Sequence, residues 1–310
     1  MTIDALLSAT RIPTQFTSNG LLCAANLYLP AHDLPANATA QALPAILILH
    51  GWGGIQDALT TPFCQAFTAA GFAVMTFDYP TWGDSQGLPR NQINPWQRVR
   101  DADAALTHLK SLPQIDPRKI VLWGTSFGGG HALELAAEHP TLLGAIAQVP
   151  MLDGRDAVLA TPIKDMFKIA GAALADLLPV TAPVYVPVIA PEGQFATMSR
   201  DNADAALRQG LAQANYPPNG YDNRVTARSV LNIGLYRPFK KLKQIKVPTL
   251  IVGATRDSVA PFDAAKIDRM RNPYLRYEVL DADHFEPYFE PALSVNLGYQ
   301  LAFLRQLLAE

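Results

Sequence analysis

The sequence predicts an α/β fold: a mostly parallel central sheet flanked by helices, with a helical cap insertion. Three observations carry that expectation. Short, continuously apolar runs recur along the chain, as strands covered on both faces require. Stretches with apolar residues at three- and four-residue spacing separate them, which implies crossover helices around one open sheet. The alternation breaks after Val149 and resumes at Thr249.

The apolar run Leu21 to Leu29 reads as an early hairpin strand, followed by a loop from His32 to Leu43 rich in Ala, Asn and Pro. Parallel strands are expected at Ala45–Leu49, Phe72–Phe77, Lys119–Trp123 and Leu143–Ala147. Helices are expected at Pro62–Ala70, Pro95–Leu112 and Gly128–His139. Beyond them lie an Ala/Leu-rich helix near Met166–Leu178, the proline-punctuated run Pro179 to Pro187, and a polar helix near Asn202–Ala214. Two more strands, Thr249–Val252 and Leu275–Leu280, precede a terminal amphipathic helix, Ala292–Leu308. The domain division this gives is a catalytic core of residues 1–153 and 240–310, with residues 154–239 inserted.

Composition excludes several classes. Hydrophobic residues make up 49% and charged residues 17%, enough for a large buried core and too little charge for a disordered chain. With 25 Lys+Arg against 27 Asp+Glu and no basic run longer than Lys240-Lys241, a nucleic-acid or anionic-membrane partner is not expected. No basic leader precedes an apolar stretch and no run is long enough to span a bilayer, so a cytoplasmic location is expected. Cys23 and Cys64 lack metal or disulfide spacing and read as small buried hydrophobes.

Two segments match G-x-S-x-G, and local context separates them. Gly83-Asp84-Ser85-Gln86-Gly87 lies several residues past a strand and runs into Leu88-Pro89, so Ser85 is expected in a flexible loop. Gly124-Thr125-Ser126-Phe127-Gly128 follows directly on Ile120–Trp123 and opens into Gly129-Gly130-His131-Ala132-Leu133. That is the strand, sharp turn and helix a nucleophile elbow needs, and it makes Ser126 the candidate nucleophile. The glycine-rich strand end His50-Gly51-Trp52-Gly53-Gly54 leaves amides approachable, so the backbone N–H groups of Trp52 and Phe127 are the candidate oxyanion donors.

A general base should sit where strand ends converge. His32 falls in a loop, His50 in the glycine turn, and His108, His131 and His139 on helices; His284, just past the last strand, remains. The acid that orients it should follow a neighbouring strand, and Asp257 does, after Thr249–Val252 and before Val259-Ala260-Pro261, which reads as the next helix start. Asp153, after the strand ending near Val149, is the alternative acid, and a helix N-cap is the alternative role for Asp257.

These four motifs in order resemble the α/β-hydrolase superfamily over almost the whole chain. Asp78-Tyr79 with Trp82-Gly83-Asp84-Ser85, and His284-Phe285-Glu286-Pro287-Tyr288, look like its bacterial esterase, dienelactone-hydrolase-like and fungal polyketide-transferase-like branch. Dienelactone hydrolases carry a cysteine nucleophile where this chain has Ser126, and haloalkane dehalogenases and epoxide hydrolases carry an aspartate, so those activities are not carried over. The resemblance implies a serine hydrolase that cleaves a small-molecule carboxylic ester or lactone through an acyl-enzyme on Ser126, His284 and Asp257, without metal or organic cofactor. It also implies a cap over the site, with Phe167, Tyr185 and Phe195 as lining candidates. Acyl transfer or thioester cleavage on the same residues, and a non-catalytic binding protein, stay open, as does the choice between monomer and homodimer.

Overall fold

The computed structural model describes residues 10–30, 42–56, 58–159, 161, 163–178, 182–217 and 220–309. The first residues, most of the His32 to Leu43 loop including His32 itself, and Pro179 to Thr181 lie outside the described residues.

Among the described residues eight strands form one sheet. They are β1 (Thr10–Ser18), β2 (Leu21–Leu29), β3 (Leu43–Leu49), β4 (Ala73–Phe77), β5 (Ile115–Thr125), β6 (Gly144–Gln148), β9 (Thr249–Ala254) and β10 (Leu275–Leu280). Their order is β1-β2-β4-β3-β5-β6-β9-β10. β1 and β2 form an antiparallel hairpin and β2 runs antiparallel to β4, whereas the remaining pairs are parallel.

The continuous apolar runs have their physical reason in the two cores. Ile46, Ile48, Val74, Val121, Trp123 and Ile146 point into one cluster. Their alternating neighbours Leu47, Leu49, Met75, Leu122, Ala145 and Ala147 point into the other. With both faces covered, the two-residue period of a strand no longer shows as polar alternation.

The crossover helices are α1 (Thr61–Ala69), α2 (Pro95–Ser111) and α3 (Phe127–Glu138), with α8 (Ala292–Ala309) at the end. Asn94 caps α2, its side chain accepting from the Gln97 amide at 3.0 Å, and Pro95 fills the first turn, where no backbone donor is needed. The helix start expected at Val259 is instead an irregular turn. α7 spans Ala264–Asp268 and is capped by Asp263, because the Asp257 side chain has already bound the amides of Val259 and Ala260 and turned the chain there.

Between β6 and β9 the chain builds α4 (Gly154–Leu159), α5 (Ile163–Asp176), β7 (Tyr185–Pro187), α6 (Ala203–Gln213) and β8 (Arg224–Thr226). β7 and β8 pair with each other, antiparallel, and not with the main sheet. Two 3₁₀ segments, Ala227–Leu235 and Pro238–Gln244, lead back to β9. Ala173, Val186, Val188 and Leu207 from this segment are buried in the same cluster as Ile46 and Trp123. The segment therefore packs onto the sheet end through shared apolar core. The Arg228 guanidinium, bound to the buried Asp176, ties α5 to the 3₁₀ segment that follows β8.

Candidate active site

Ser126 sits between β5 and α3 at φ 55° and ψ −121°, a conformation costly for a residue with a Cβ. Neighbouring backbone holds it there. The Ser126 amide donates to the Gln148 carbonyl at 2.9 Å, and the Ser126 carbonyl accepts from Met151 at 2.9 Å and Gly129 at 3.0 Å. The flanking glycine is a steric requirement, since a Cβ on Gly128 would lie 2.1 Å from the Leu49 carbonyl oxygen at the end of β3.

Behind the elbow runs a buried polar network. Gln148 Oε1 accepts from Asn296 at 2.6 Å and from Gln300 at 2.9 Å, and the Trp123 indole donates to Gln300 at 2.7 Å. Thr125 and Tyr288 hydroxyls close it from the β5 side. Burial pushes the Tyr288 phenol up to about 12, so it stays a neutral hydrogen-bonding group.

The structure brings Ser126, His284 and Asp257 into one line. His284 Nε2 lies 2.9 Å from Ser126 Oγ, and His284 Nδ1 lies 2.7 Å from Asp257 Oδ2. The carboxylate fixes the tautomer: Nδ1 carries the proton that it accepts, which leaves Nε2 to accept from the serine hydroxyl. Asp257 Oδ1 is taken by the Val259 and Ala260 amides at 2.9 and 2.6 Å, so this carboxylate caps its own turn and holds the His284 ring at once. Asp153 is engaged elsewhere, gripping Arg237 Nε and Nη2 at 2.8 and 2.7 Å.

The His50–Gly54 turn lies against Ser126, where a Cβ on Gly51 would be 3.1 Å from Ser126 Cβ. Trp52 and Phe127 meet edge to face at 5.5 Å. Phe127 opens α3, so its amide is one of the unpaired donors of a first helical turn. The turn is pinned at three points: Trp52 Nε1 donates to Thr197 at 3.0 Å, the Tyr221 hydroxyl donates to the Gly53 carbonyl at 2.7 Å, and Arg98 donates to the Gly51 carbonyl at 3.2 Å. His50 is buried and stacked edge-on to Tyr79; burial, then the Arg98 charge, hold its imidazole down at about 3.

Ser85 is not in a flexible loop. It is 3% exposed, donates to the Asp78 carbonyl at 2.6 Å and accepts from the Ala24 amide at 2.9 Å. The Asp78 carboxylate also accepts from the Gln56 and Asp84 amides and leaves no room for a side chain at Gly83. The Gly83–Gly87 match to G-x-S-x-G is thus a polar staple between β2, the end of β4 and the following loop.

A cavity of ≈240 Å³ opens at Ser126, its lining mostly apolar. Trp52 and Phe127 form one wall, Met166, Ile169 and Ala170 of α5 another, and Val230, Ile233 and Val259 contribute from the segments that follow. Phe167, Tyr185 and Phe195 are not among its lining residues. Phe167 is 73% exposed, on the side of α5 turned away from Ile169. Tyr185 in β7 stacks under the Arg224 guanidinium, and Phe195 under Lys168. Sequence reasoning also missed Asp201, whose carboxylate binds the Ser258 and His284 amides, and Arg98.

With this geometry, comparison with known proteins is decisive for the family. Residues 40–273 match the serine aminopeptidase S33 family model. The chain belongs to that family of α/β hydrolases. Its relatives include the quorum-quenching protein AidA of Acinetobacter baumannii (strain MDR-ZJ06), 34% identical over 96% of this chain and 95% of that one. A thiohydrolase of Eupenicillium brefeldianum is 29% identical over 72% and 73% of the two chains. Among solved structures, the α/β hydrolase GrgF from Penicillium sp. sh18 superposes with a TM-score of 0.75 at 23% identity, covering 97% of this chain and all of that one, and so shares the fold. Among the described residues no helix is long and apolar enough to cross a membrane.

Proposed function

We propose that this α/β hydrolase cleaves a carboxylic ester or lactone of a small molecule with an apolar acyl portion. The observation that carries the proposal is the hydrogen-bonded line Ser126–His284–Asp257, whose serine end lines a mostly apolar cavity. Ser126 Oγ attacks the carbonyl carbon as His284 Nε2 takes its proton. The oxyanion that forms is met by the Trp52 and Phe127 N–H groups. The intermediate collapses, the leaving oxygen takes the proton from His284, and the acyl group remains on Ser126. Water, activated by the same imidazole, then attacks the acyl-enzyme and releases the acid.

Residues 154–239 act in this reading as a lid, because α5 supplies one wall of the cavity and the insertion's Thr197 and Tyr221 hold the glycine turn. A peptidase reading is less well supported, since among the described residues the cavity lining contains no carboxylate to receive an α-amino group and carries Arg200 instead. A second reading, cleavage of an acyl thioester, is favoured by the thiohydrolase relative and uses the same residues.

The test is turnover of a panel of p-nitrophenyl esters, acyl lactones and acyl thioesters by wild type and Ser126→Ala. Hydrolysis of an ester or lactone that Ser126→Ala loses by about three orders of magnitude supports the proposal. Turnover confined to thioesters selects the second reading, and activity retained by Ser126→Ala overturns both.

A further inference from the structure

Arg98 lies in the first turns of α2 with its side chain inside the protein, 2% exposed. Its guanidinium makes one hydrogen bond, from Nη1 to the Gly51 carbonyl at 3.2 Å; among the described residues Nε and Nη2 have no hydrogen-bond partner. The plane is held between aromatic faces, with Cζ 4.4 Å from the Tyr79 ring centre and 5.4 Å from that of Trp82. A buried charge with orphaned donors is expensive, and an apolar residue of similar length would fill the same space without that cost. Stability therefore does not explain this residue.

Its location does. The Gly51 carbonyl belongs to the same planar amide as the Trp52 N–H, and in a trans peptide the two point in opposite directions. A cation on the carbonyl draws electron density through the amide and strengthens the N–H as a donor. We infer that Arg98 is a positioning residue for the oxyanion site: it fixes the Gly51–Trp52 peptide and polarises the Trp52 N–H toward the charge that develops beside Ser126. The inference rests on the hydrolytic reading of that site.

Burial lowers the Arg98 guanidinium to about 10, against the pull of Tyr79, Asp101, Tyr221 and Asp78, and its charge is felt by the imidazoles of His50 and His131; it stays charged at neutral pH. The charge is screened little there, so its effect on the peptide is large. Tyr79 and Trp82 come from the loop after β4, so the segment around the Ser85 staple also serves to seat this cation.

The test compares Arg98→Met and Arg98→Lys with wild type in the intact chain. Three quantities are read per folded active site: kcat and KM on a p-nitrophenyl ester, and the rate at which a p-nitrophenyl phosphonate labels Ser126. Removing one oxyanion donor outright costs about 10²–10³ in rate, so weakening one predicts a loss of about tenfold or more. In Arg98→Met, kcat and the labelling rate are expected to fall together by that factor with KM within about twofold, and Arg98→Lys, which restores a positive charge, to recover part of both. A purely structural role would lower the folded fraction and leave the per-site rates alone. Should Arg98→Met not fold, Arg98→Gln, a neutral donor, carries the same expectation. Per-site rates within twofold of wild type in the neutral variant, or a change in KM alone, overturn the inference while leaving the proposed chemistry standing. A wild type that neither turns over nor labels removes the hydrolytic reading, and the inference with it.

Discussion

Asp201 and His284 are joined through the backbone. The Asp201 carboxylate, contributed by the inserted segment, accepts from the His284 amide at 3.3 Å and from the Ser258 amide and hydroxyl at 2.9 and 2.5 Å. Ser258 follows Asp257, the proposed acid, and His284 is the proposed base, so one side chain from between β6 and β9 clamps the loops that carry both. Asp201→Ala is expected to lower kcat about tenfold with little change in KM, since a misplaced base weakens proton transfer more than ground-state binding. Steady-state kinetics on a p-nitrophenyl ester measures this, and unchanged kcat would show that the two loops hold themselves.

The lid reading predicts where chain-length preference resides. A tryptophan at Ala170 intrudes into the ≈240 Å³ cavity, so Ala170→Trp is expected to raise KM for medium-chain esters while sparing acetyl esters. Phe167→Ala is expected to change neither, because that ring faces away from the cavity. A chain-length series against both variants decides the matter.

Acid sensitivity follows from His50. Its pKa in the fold, about 3, is far below the ordinary 6.5, so the unfolded chain binds a proton that the folded one refuses. The associated stability is complete above about pH 6.5 and drains away as the pH falls toward the folded value, at about 1.4 kcal/mol per pH unit. His131, whose imidazole burial also pushes well down, acts in the same direction. Urea unfolding between about pH 7 and pH 5 should show this slope, and His50→Asn, if folded, should flatten part of it.

The network behind the elbow should be costly to cut. Gln300→Leu strands the Trp123 indole N–H and one Gln148 interaction in a buried site, with an expected loss of about 2–4 kcal/mol in denaturant unfolding. Replacing the exposed Leu308 on the same helix by Gln should cost under about 0.5 kcal/mol.

Much of this arrangement is legible in the sequence, for reasons of locality. The buried strands announce themselves as apolar runs, and the elbow is a contiguous strand, turn and helix that distinguishes Ser126 from Ser85 without any long-range information. What Ser85 does instead is not local: its partner Ala24 lies on β2, and Asp78 sits just past the end of β4. The cavity wall is partly readable, because Met166, Ile169, Ala170 and the buried Ala173 follow the three-to-four spacing of one helix face, whereas Phe167, expected to line the cavity, lies off that face. Asp201 and Arg98 carry no local signature. Each is one charged residue near a helix start, and only the tertiary fold shows that their partners are the His284 loop and the Gly51 carbonyl.

The most direct test of the central claim is site-resolved labelling by a p-nitrophenyl phosphonate followed by peptide mass mapping, with Asp257→Asn and Asp153→Asn assayed alongside for ester turnover. The account predicts one phosphonyl group, on Ser126, and a kcat that falls about 10³–10⁴-fold in Asp257→Asn but stays within a few fold in Asp153→Asn. Label on Ser85 or on no serine, or an Asp257→Asn variant as active as wild type, would contradict it.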